Sequence, residues 1–364
     1  MPAKLIIFII GSVLTYALGL FILRFSKKLK FLDRPSEDRK IQPKAVPYGG
    51  GLLIFLGILS QVLLGLGIYI LFQETFQVWF PGVHFDAVLN DPKGLSIFLG
   101  SIAMLILGGV DDVKQLSPRT KLIVQLSVTA FVLWWGKMSM SFFLPVPWIG
   151  FLGTMFWVVL ITNAFNLIDN MDGYCGGVSL VVLGLHIILL NQAGHLMVEL
   201  VCCACFASLL GFMWYNKPPA KLYLGDSGSY FLGFLISMLS VLSTYYRDGQ
   251  SLAGSLTPIL ILAVPLFDVA TVLWIRTKLK KSWFKGDLNH FSHRLLDLGL
   301  SPAQSLGLIL TLSLVCGLGG LMLQHLSELM AVAVFIQVLI ILWVIHLLER
   351  ASRSKSLKVS APDE

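Results

Sequence analysis

The sequence predicts an all-α integral membrane protein with about eleven transmembrane helices. Of the 364 residues, 56% are hydrophobic and only 13% are charged, and the mean hydropathy is +0.81. Charge at about half the level of an ordinary soluble domain excludes a soluble globule. Transmembrane strands are disfavoured, because the apolar runs are continuous instead of alternating and backbone groups in lipid must be satisfied within each segment.

Each predicted helix corresponds to one apolar stretch long enough to cross a hydrocarbon core of about 30 Å. The eleven stretches are residues 5–23, 48–72, 94–110, 120–136, 146–165, 174–190, 196–214, 228–246, 252–274, 305–323 and 329–347. We expect the first to be a retained helix, since no small-residue cleavage site follows it. We predict a single transmembrane domain over residues 1–348 and a mobile cytoplasmic tail over residues 349–364.

Lysine and arginine are divided unequally between the two sets of loops that eleven crossings create. One set holds 23 of the 27 Lys and Arg residues: loops 24–47, 111–121, 215–227 and 276–304, and the tail. By the positive-inside rule this set is cytoplasmic and the N-terminus lies outside. The net charge of +7 therefore reflects membrane topology, and we expect no nucleic-acid partner.

Two adjacent acids, Asp111 and Asp112, follow the third apolar run, and Lys121 begins the next one. Carboxylates at the C-terminal end of a membrane helix are costly unless a cation, a basic group or water balances them. The pair is either part of a solvated loop or a site for a divalent cation or proton transfer, with Lys121 available to a phosphate.

A second polar segment places Asn163, Asn166, Asp169 and Asp172 at every third position before Gly173. On a helix, steps of three residues spread these groups over roughly half the circumference. We therefore expect the segment to unwind toward Gly173, so that its oxygens converge on a hard cation, which prefers such ligands. The alternative is a structural Asn/Asp turn.

Two further motifs lie on the predicted cytoplasmic side. Asp226, before the eighth helix, suits an N-cap or a cation ligand, and Tyr223 offers either a flat face to a base or an interfacial anchor. In the last basic loop, His290, His293 and Arg294 could bind phosphate or sugar hydroxyls by charge-assisted hydrogen bonds. Part of that loop is ordinary positive-inside flanking, and a zinc site is disfavoured because further ligands are missing.

The four polar motifs all lie on the predicted cytoplasmic side. Their residues and their order along the chain resemble those of the polyprenyl-phosphate N-acetylhexosamine-1-phosphate transferases. The resemblance runs from about Asp33 to Leu300, and the run Pro47-Tyr48-Gly49-Gly50-Gly51 resembles the branch that makes undecaprenyl-diphospho-GlcNAc. The family moves a sugar 1-phosphate from a UDP-sugar to a membrane polyprenyl phosphate and releases UMP. The polyprenyl-diphospho-sugar product initiates a cell-envelope glycan.

The resemblance implies a Mg²⁺-dependent enzyme, with Mn²⁺ as a possible substitute, in a bacterial inner membrane with its active site facing the cytoplasm. The implied metal ligands are Asn166 and Asp226. The implied catalytic residues are Asp111, Asp112, Asp169 and Lys121. The implied uridine-binding residues are Asp172 and Tyr223. The residues implied to face the sugar phosphate are His290, His293 and Arg294. The implied partners are the UDP-sugar, the polyprenyl phosphate and membrane lipid, and a homodimer remains open.

Three departures from the family pattern bear on these expectations. Gln115 stands where a third Asp is frequent, and Asn170 replaces a usual Gly. The last loop has Ser292 where the GlcNAc branch typically has a histidine. We expect UDP-GlcNAc as the donor, with UDP-GalNAc or a modified hexosamine as alternatives.

Two other functions are weighed against this one. A UDP-MurNAc-pentapeptide transferase of peptidoglycan synthesis usually carries three consecutive histidines in the last loop. A transporter or flippase for an anionic lipid or nucleotide would place its binding groups near the bilayer midplane with repeat symmetry. The sequence does not separate direct attack by the lipid phosphate from an aspartyl intermediate, and we expect direct attack.

Overall fold

The computed structural model of the protein is almost entirely helical. It describes residues 2–29, 32–33, 46–83, 90–140, 146–243, 252–283 and 289–359. The chain divides into two compact units, Met1–Ser243 and Thr244–Glu364, which are called unit 1 and unit 2 below. All five cysteines are buried and free.

Nine helices lie in the part of unit 1 that the structure describes. They are α1 (Pro2–Leu29), α2 (Gly50–Leu71), α3 (Gln73–Trp79), α4 (Pro92–Lys114), α5 (Pro118–Trp135), α6 (Pro147–Ile168), α7 (Tyr174–Ala193), α8 (Leu196–Asn216) and α9 (Gly225–Leu242). Two short strands, β1 (Leu32–Asp33) and β2 (Val46–Pro47), pair in antiparallel fashion. The unit is therefore a helix bundle with a small strand pair before α2.

Helix α9 lies at the centre of unit 1, where it packs against α2, α4 and α6. Glycines permit these close approaches. A Cβ atom at Gly108 would lie 2.2 Å from the backbone oxygen of Asp226, and one at Gly51 would lie 2.4 Å from the backbone nitrogen of Gly228. The N-terminus of α9 is consequently held in backbone contact with both α2 and α4.

Unit 2 contains five further helices and two 3₁₀ turns within its described residues. They are the 3₁₀ turn Leu252–Leu256, α10 (Thr257–Ile261), α11 (Ala263–Lys278), α12 (Phe291–Asp297), α13 (Pro302–Met322), the 3₁₀ turn Leu323–His325 and α14 (Glu328–Val359). Helix α13 begins with a capping box between Ser301 and Gln304, which satisfies two backbone donors at its first turn. Helices α10, α11, α12 and α14 all pack against α13.

Nine helices in the described ranges are long and apolar enough to cross a membrane, and the pair Leu252–Ile261 and Ala263–Lys278 is a tenth candidate, bent by 69°. The protein is a multi-pass, all-α membrane protein. The predicted stretch 252–274 is thus broken rather than continuous. Pro265 explains the break, because it has no N–H to donate to the carbonyl of Ile261.

The remaining predicted stretch, 120–136, forms helix α5 but is not among the nine membrane candidates. Arg119, Lys121 and Gln125 lie in its first half, so the apolar part of α5 is short. Eleven crossings therefore stay a prediction, as does the side on which each terminus lies.

Candidate active site

The N-terminus of α9 is capped by acids from two other segments. The backbone N–H of Gly225 donates to Asp169, and those of Asp226 and Ser227 donate to the two carboxylate oxygens of Asp112 at 2.8 and 3.2 Å. The first N–H groups of a helix lack intrahelical acceptors and carry partial positive charge, so they attract carboxylates. Asp112 and Asp169, from distant parts of the sequence, are thereby fixed beside Asp226.

Gly225 is required by this arrangement. Its φ of +76° lies in the left-handed region, and a Cβ atom there would lie 2.9 Å from a carboxylate oxygen of Asp112. A side chain would be strained by the backbone conformation and would press on the capping acid.

Asp226 and Asn166, the two predicted metal ligands, are in direct contact. The amide Nδ2 of Asn166 donates to Oδ1 of Asp226 at 2.7 Å and to Oγ of Ser229 at 3.0 Å. Both residues are half-buried. Asp226 does not cap its own helix, since Asp112 and Asp169 take that role, and its carboxylate is directed to Asn166 instead.

The polar segment is helical as far as Ile168 and then unwinds toward Gly173, as predicted. Helix α6 ends at Ile168, and α7 begins after Gly173, which has a φ of 76°. Asn163 does not join the site, because it exchanges side-chain hydrogen bonds with the buried Gln125 of α5 at 2.6 and 3.4 Å. Asn166, three residues later, faces α9 and contributes to the site.

Asp111 is buried in the last turn of α4 and not in a solvated loop. Its carboxylate forms an ion pair with Lys121. It also accepts the backbone N–H of Leu116 at 2.8 Å and the hydroxyl of Tyr230 at 3.3 Å. Lys121 therefore supplies the balancing charge that the sequence required for a carboxylate at a helix C-terminus.

Four carboxylates gather around the start of α9, namely Asp111, Asp112, Asp169 and Asp226, and they interact electrostatically. Burial, followed by the charges of Asp226 and Asp112, raises the pKa of Asp169 well above its usual range. Like charges at short range disfavour each other's ionised form. Such a cluster is relieved by a bound cation.

The donors at the start of α9 supply part of what a magnesium ion requires. In the described part of the chain, no three or more His, Cys, Asp or Glu side chains are grouped so that they could hold one ion. Magnesium sites often use one or two carboxylates, with waters and substrate phosphates completing the octahedron. Asp226 fits this pattern. Asn166 fits it after half a turn of its amide, which exchanges Nδ2 for the oxygen Oδ1.

Asp172 and Tyr223, predicted to bind uridine, lie on adjoining loops. Asp172 accepts the backbone N–H of Ala220 at 2.9 Å, so it also shapes the loop that leads to Tyr223. Burial and then the charge of Asp172 raise the pKa of Tyr223. Both side chains are half-buried and keep part of their surface open to a ligand.

In unit 2, each of the three nitrogen atoms of the Arg294 guanidinium donates to a protein group. Nε donates to Glu349 at 3.0 Å, Nη1 to the carbonyl of Asn289 at 2.5 Å, and Nη2 to Thr271 at 2.9 Å. The Arg294 side chain is 2% exposed. Its guanidinium binds the segment before His290, and its role at the sugar phosphate stays a prediction.

The two histidines of this loop have different surroundings. His290 is buried, and its Nδ1 lies 3.3 Å from a carboxylate oxygen of Asp268. His293 is half-buried, and burial, with a smaller effect of His290, lowers its pKa. Ser292, where the family pattern has a histidine, is fully buried and faces the protein interior.

Comparison with known proteins decides the family. The pattern of Glycosyl transferase family 4 matches residues 95–244. The chain is 32% identical over 326 residues to a Bacillus subtilis (strain 168) protein named as a probable undecaprenyl-phosphate N-acetylglucosaminyl 1-phosphate transferase, covering 87% of this chain and 84% of the relative. The chain belongs to the polyprenyl-phosphate N-acetylhexosamine-1-phosphate transferases.

Two further relatives differ in how much of the chain they match. An undecaprenyl-phosphate alpha-N-acetylglucosaminyl 1-phosphate transferase of Thermotoga maritima is 30% identical over 312 residues, covering 85% of this chain and 88% of the relative. A phospho-N-acetylmuramoyl-pentapeptide-transferase of Synechococcus sp. (strain RCC307) is 31% identical over 197 residues, covering only 47% of this chain and 55% of the relative. The GlcNAc branch of the transferase family therefore matches more of the chain.

Tyr48 lies beside the candidate site, and the sequence analysis assigns it no role. The backbone of its loop is bonded to the loop before α9, with Tyr223 N–H donating to Pro47 and Gly50 N–H donating to Tyr223, both at 2.9 Å. The rings of Tyr48 and Tyr223 are 6.0 Å apart. Burial, then the charges of Asp112 and Asp226, raise the pKa of Tyr48 to about 12. The Pro47–Gly51 run was the available signal.

Proposed function

We propose that this protein transfers N-acetylglucosamine 1-phosphate from UDP-GlcNAc to undecaprenyl phosphate in the bacterial inner membrane. The observation that carries the proposal is the convergence of Asp111, Asp112 and Asp226 at the start of α9, with Lys121 paired to the first of them. The activities in the names of the relatives from Bacillus subtilis and Thermotoga maritima support the choice of donor and acceptor.

In the proposed reaction, an oxygen of the polyprenyl phosphate forms a bond to the phosphorus that bears the sugar. The bond from that phosphorus to the bridging oxygen breaks, and the bridging oxygen leaves with UMP. Two anions must approach each other, so most of the catalytic contribution is positioning and charge compensation. In this direct displacement one bond to phosphorus forms and one breaks, so the reaction needs no covalent enzyme intermediate.

Asp226 and Asn166 are the proposed magnesium ligands. When bound, the ion supplies positive charge across the diphosphate and stabilises the charge that develops on the leaving oxygen. Lys121 provides a second positive charge beside the site, and Asp111 orients its ammonium group. Asp112 and Asp169 fix the start of α9 through its N–H groups, so that Asp226 is held in place. Asp169, whose pKa is raised, is suited to hold a proton near the reacting phosphates.

The proposed orientation places this site at the cytoplasmic face, with the N-terminus outside. Its support is the distribution of Lys and Arg among the loops. UDP-sugars and UMP would then enter and leave from the cytosol, while the prenyl chain stays in the membrane. Asp172, Tyr223 and Tyr48 are proposed to line the nucleotide side of the site, and His290 and His293 to meet the sugar phosphate.

A defined assay tests the proposed reaction. Purified protein in detergent is incubated with undecaprenyl phosphate, Mg²⁺ and, separately, UDP-GlcNAc, UDP-GalNAc or UDP-MurNAc-pentapeptide. We expect UMP release that requires the lipid, greatest with UDP-GlcNAc, and a lipid product whose mass has increased by N-acetylglucosamine phosphate. Absence of UMP with every donor would refute the transferase, and substrate flux into proteoliposomes without bond cleavage would favour a transporter.

Removal of divalent metal tests the proposed ligands. We expect EDTA to stop UMP release and an excess of Mg²⁺ or Mn²⁺ to restore it, because the available ligands are hard oxygens. The control is EDTA that has been saturated with Mg²⁺ before it is added, which should leave turnover intact. Full turnover in free chelator would contradict the metal proposal.

A further inference from the structure

We infer that Glu349, near the end of the transmembrane part of α14, is a positioning residue for His290 and acts through Arg294 and Asp268. The inference rests on the proposed function, in which His290 meets the sugar phosphate. Glu349 lies outside the matched range 95–244, and no motif in the sequence indicates a role for it. It would give the last helix of unit 2 a part in the proposed reaction.

The first link joins Glu349 to Arg294. Nε of Arg294 donates to Oε2 of Glu349 at 3.0 Å, and each side chain is 2% exposed. His346 is the other titratable group beside this carboxylate, with its Nδ1 3.7 Å from Oε2. Because both charges are out of water, loss of one partner leaves the other uncompensated and forces the survivor to find a new one.

The second link joins Arg294 to the segment that carries His290. Nη1 of Arg294 donates to the carbonyl of Asn289, the residue before His290, and Nη2 donates to Thr271 of α11. Nη1 also lies 3.7 Å from Oδ1 of Asp268. A single guanidinium therefore ties α14 to α11 and to the loop residue before His290, with fixed fork geometry.

The third link joins Asp268 to the histidine itself. Asp268 is fully buried, accepts the backbone N–H of Phe291 at 2.7 Å, and lies 3.3 Å from Nδ1 of His290. A carboxylate on Nδ1 fixes the tautomer and the ring orientation, so that Nε2 is the nitrogen presented to a ligand. Without Glu349, Asp268 becomes the remaining counter-charge of Arg294 and would be drawn from His290.

The decisive variant is Glu349→Gln, which keeps the side-chain shape and removes the charge. We expect kcat/KM for UDP-GlcNAc to fall about tenfold, because a displaced His290 would lose about one hydrogen bond to the sugar phosphate, with KM for undecaprenyl phosphate unchanged. Glu349→Asp keeps the carboxylate and should recover most of the loss. Glu328→Gln is the matched control, because Glu328 is on the same helix but binds the backbone N–H groups of Leu252 and Ala253. Its kinetic constants should equal those of the wild type.

A second readout does not depend on turnover. Modification of His290 by diethyl pyrocarbonate, followed by mass spectrometry, should be slow in the wild type and in Glu328→Gln, because His290 is 5% exposed. It should be several times faster in Glu349→Gln. If Glu349→Gln does not fold, the same two measurements on Glu349→Asp decide, with a smaller shift expected.

The outcomes separate the inference from the proposed function. If the wild type releases no UMP, the proposed function fails, while the modification rates still report whether Glu349 positions His290. If the wild type is active and Glu349→Gln matches it in both kcat/KM for UDP-GlcNAc and the rate of His290 modification, the inference is overturned and the transferase stands.

Discussion

The two polar clusters of the protein use similar residues for different purposes. In unit 1, Asp112 and Asp226 are half-buried around a helix N-terminus, and their like charges repel each other. In unit 2, Asp268, Arg294 and Glu349 are each at most 2% exposed, and the guanidinium lies beside both carboxylates. The first cluster is suited to bind ligands, whereas the second is suited to hold a loop. The charges of the side chains alone do not distinguish ligand binding from loop support. The exposure of the side chains and the partners that they already have distinguish the two.

The largest expected effect in this comparison comes from Asp226→Asn. The change keeps the side-chain shape and removes the charge that faces Asn166, so we expect UMP release to fall by about 10²-fold or more while the protein still folds. The measurement is UMP release, with thermal unfolding in detergent as the check on folding. Asp91→Asn is the control, because Asp91 caps the other end of α4. Near-normal turnover in Asp226→Asn would remove this carboxylate from the site.

A smaller effect is expected from Lys121→Gln. The ion pair with Asp111 would be lost, and the site would lose one of its positive charges, so we expect kcat to fall about tenfold, in keeping with one charge-assisted contact. Lys121→Arg keeps the charge and should retain more activity. The measurement is kcat at saturating concentrations of both substrates. Equal losses in the two variants would show that shape and not charge governs the position.

The smallest effects distinguish two asparagines on one helix. Asn163→Ala removes an interhelical pair with Gln125 and should lower stability by about 0.6 kcal/mol with little change in turnover. Asn166→Ala should instead raise the Mg²⁺ concentration needed for half-maximal activity, with little change in thermal unfolding. Thermal scans and Mg²⁺ titrations of both variants check this. Reversed effects would mean that the two residues have been assigned the wrong roles.

The sequence indicates most of the residues that gather in the unit 1 site. It does not show which of the two asparagines, Asn163 or Asn166, joins them. The unwinding between Ile168 and Gly173 followed from the three-residue spacing, because one helix face cannot present all four polar groups. The same spacing gave Asn163 and Asn166 equal weight. Their separation depends on Gln125, which lies on another helix and is close only after the helices have packed.

The contacts among Asp268, Arg294 and Glu349 in unit 2 could not be predicted from motifs in the sequence. Arg294 is predicted to face the sugar phosphate because its cluster with His290 and His293 suits charge-assisted hydrogen bonds and resembles the family's last loop. No motif surrounds Glu349. Their pairing joins residues separated by 55 positions, and only the packing of α12 against α14 makes it visible. The bend near Leu262, by contrast, could have been anticipated from Pro265, whose missing N–H interrupts a helix in any context.

The loop from Pro47 to Gly51 has a consequence for how small a working enzyme can be. Its backbone supplies N–H partners to the carbonyls of Tyr223 and Leu224 at 2.9 and 3.1 Å, immediately before the helix that bears Asp226. A fragment restricted to the matched range 95–244 would contain every acid of unit 1's cluster and still lack this support. The minimal catalytic piece must therefore begin upstream of α2.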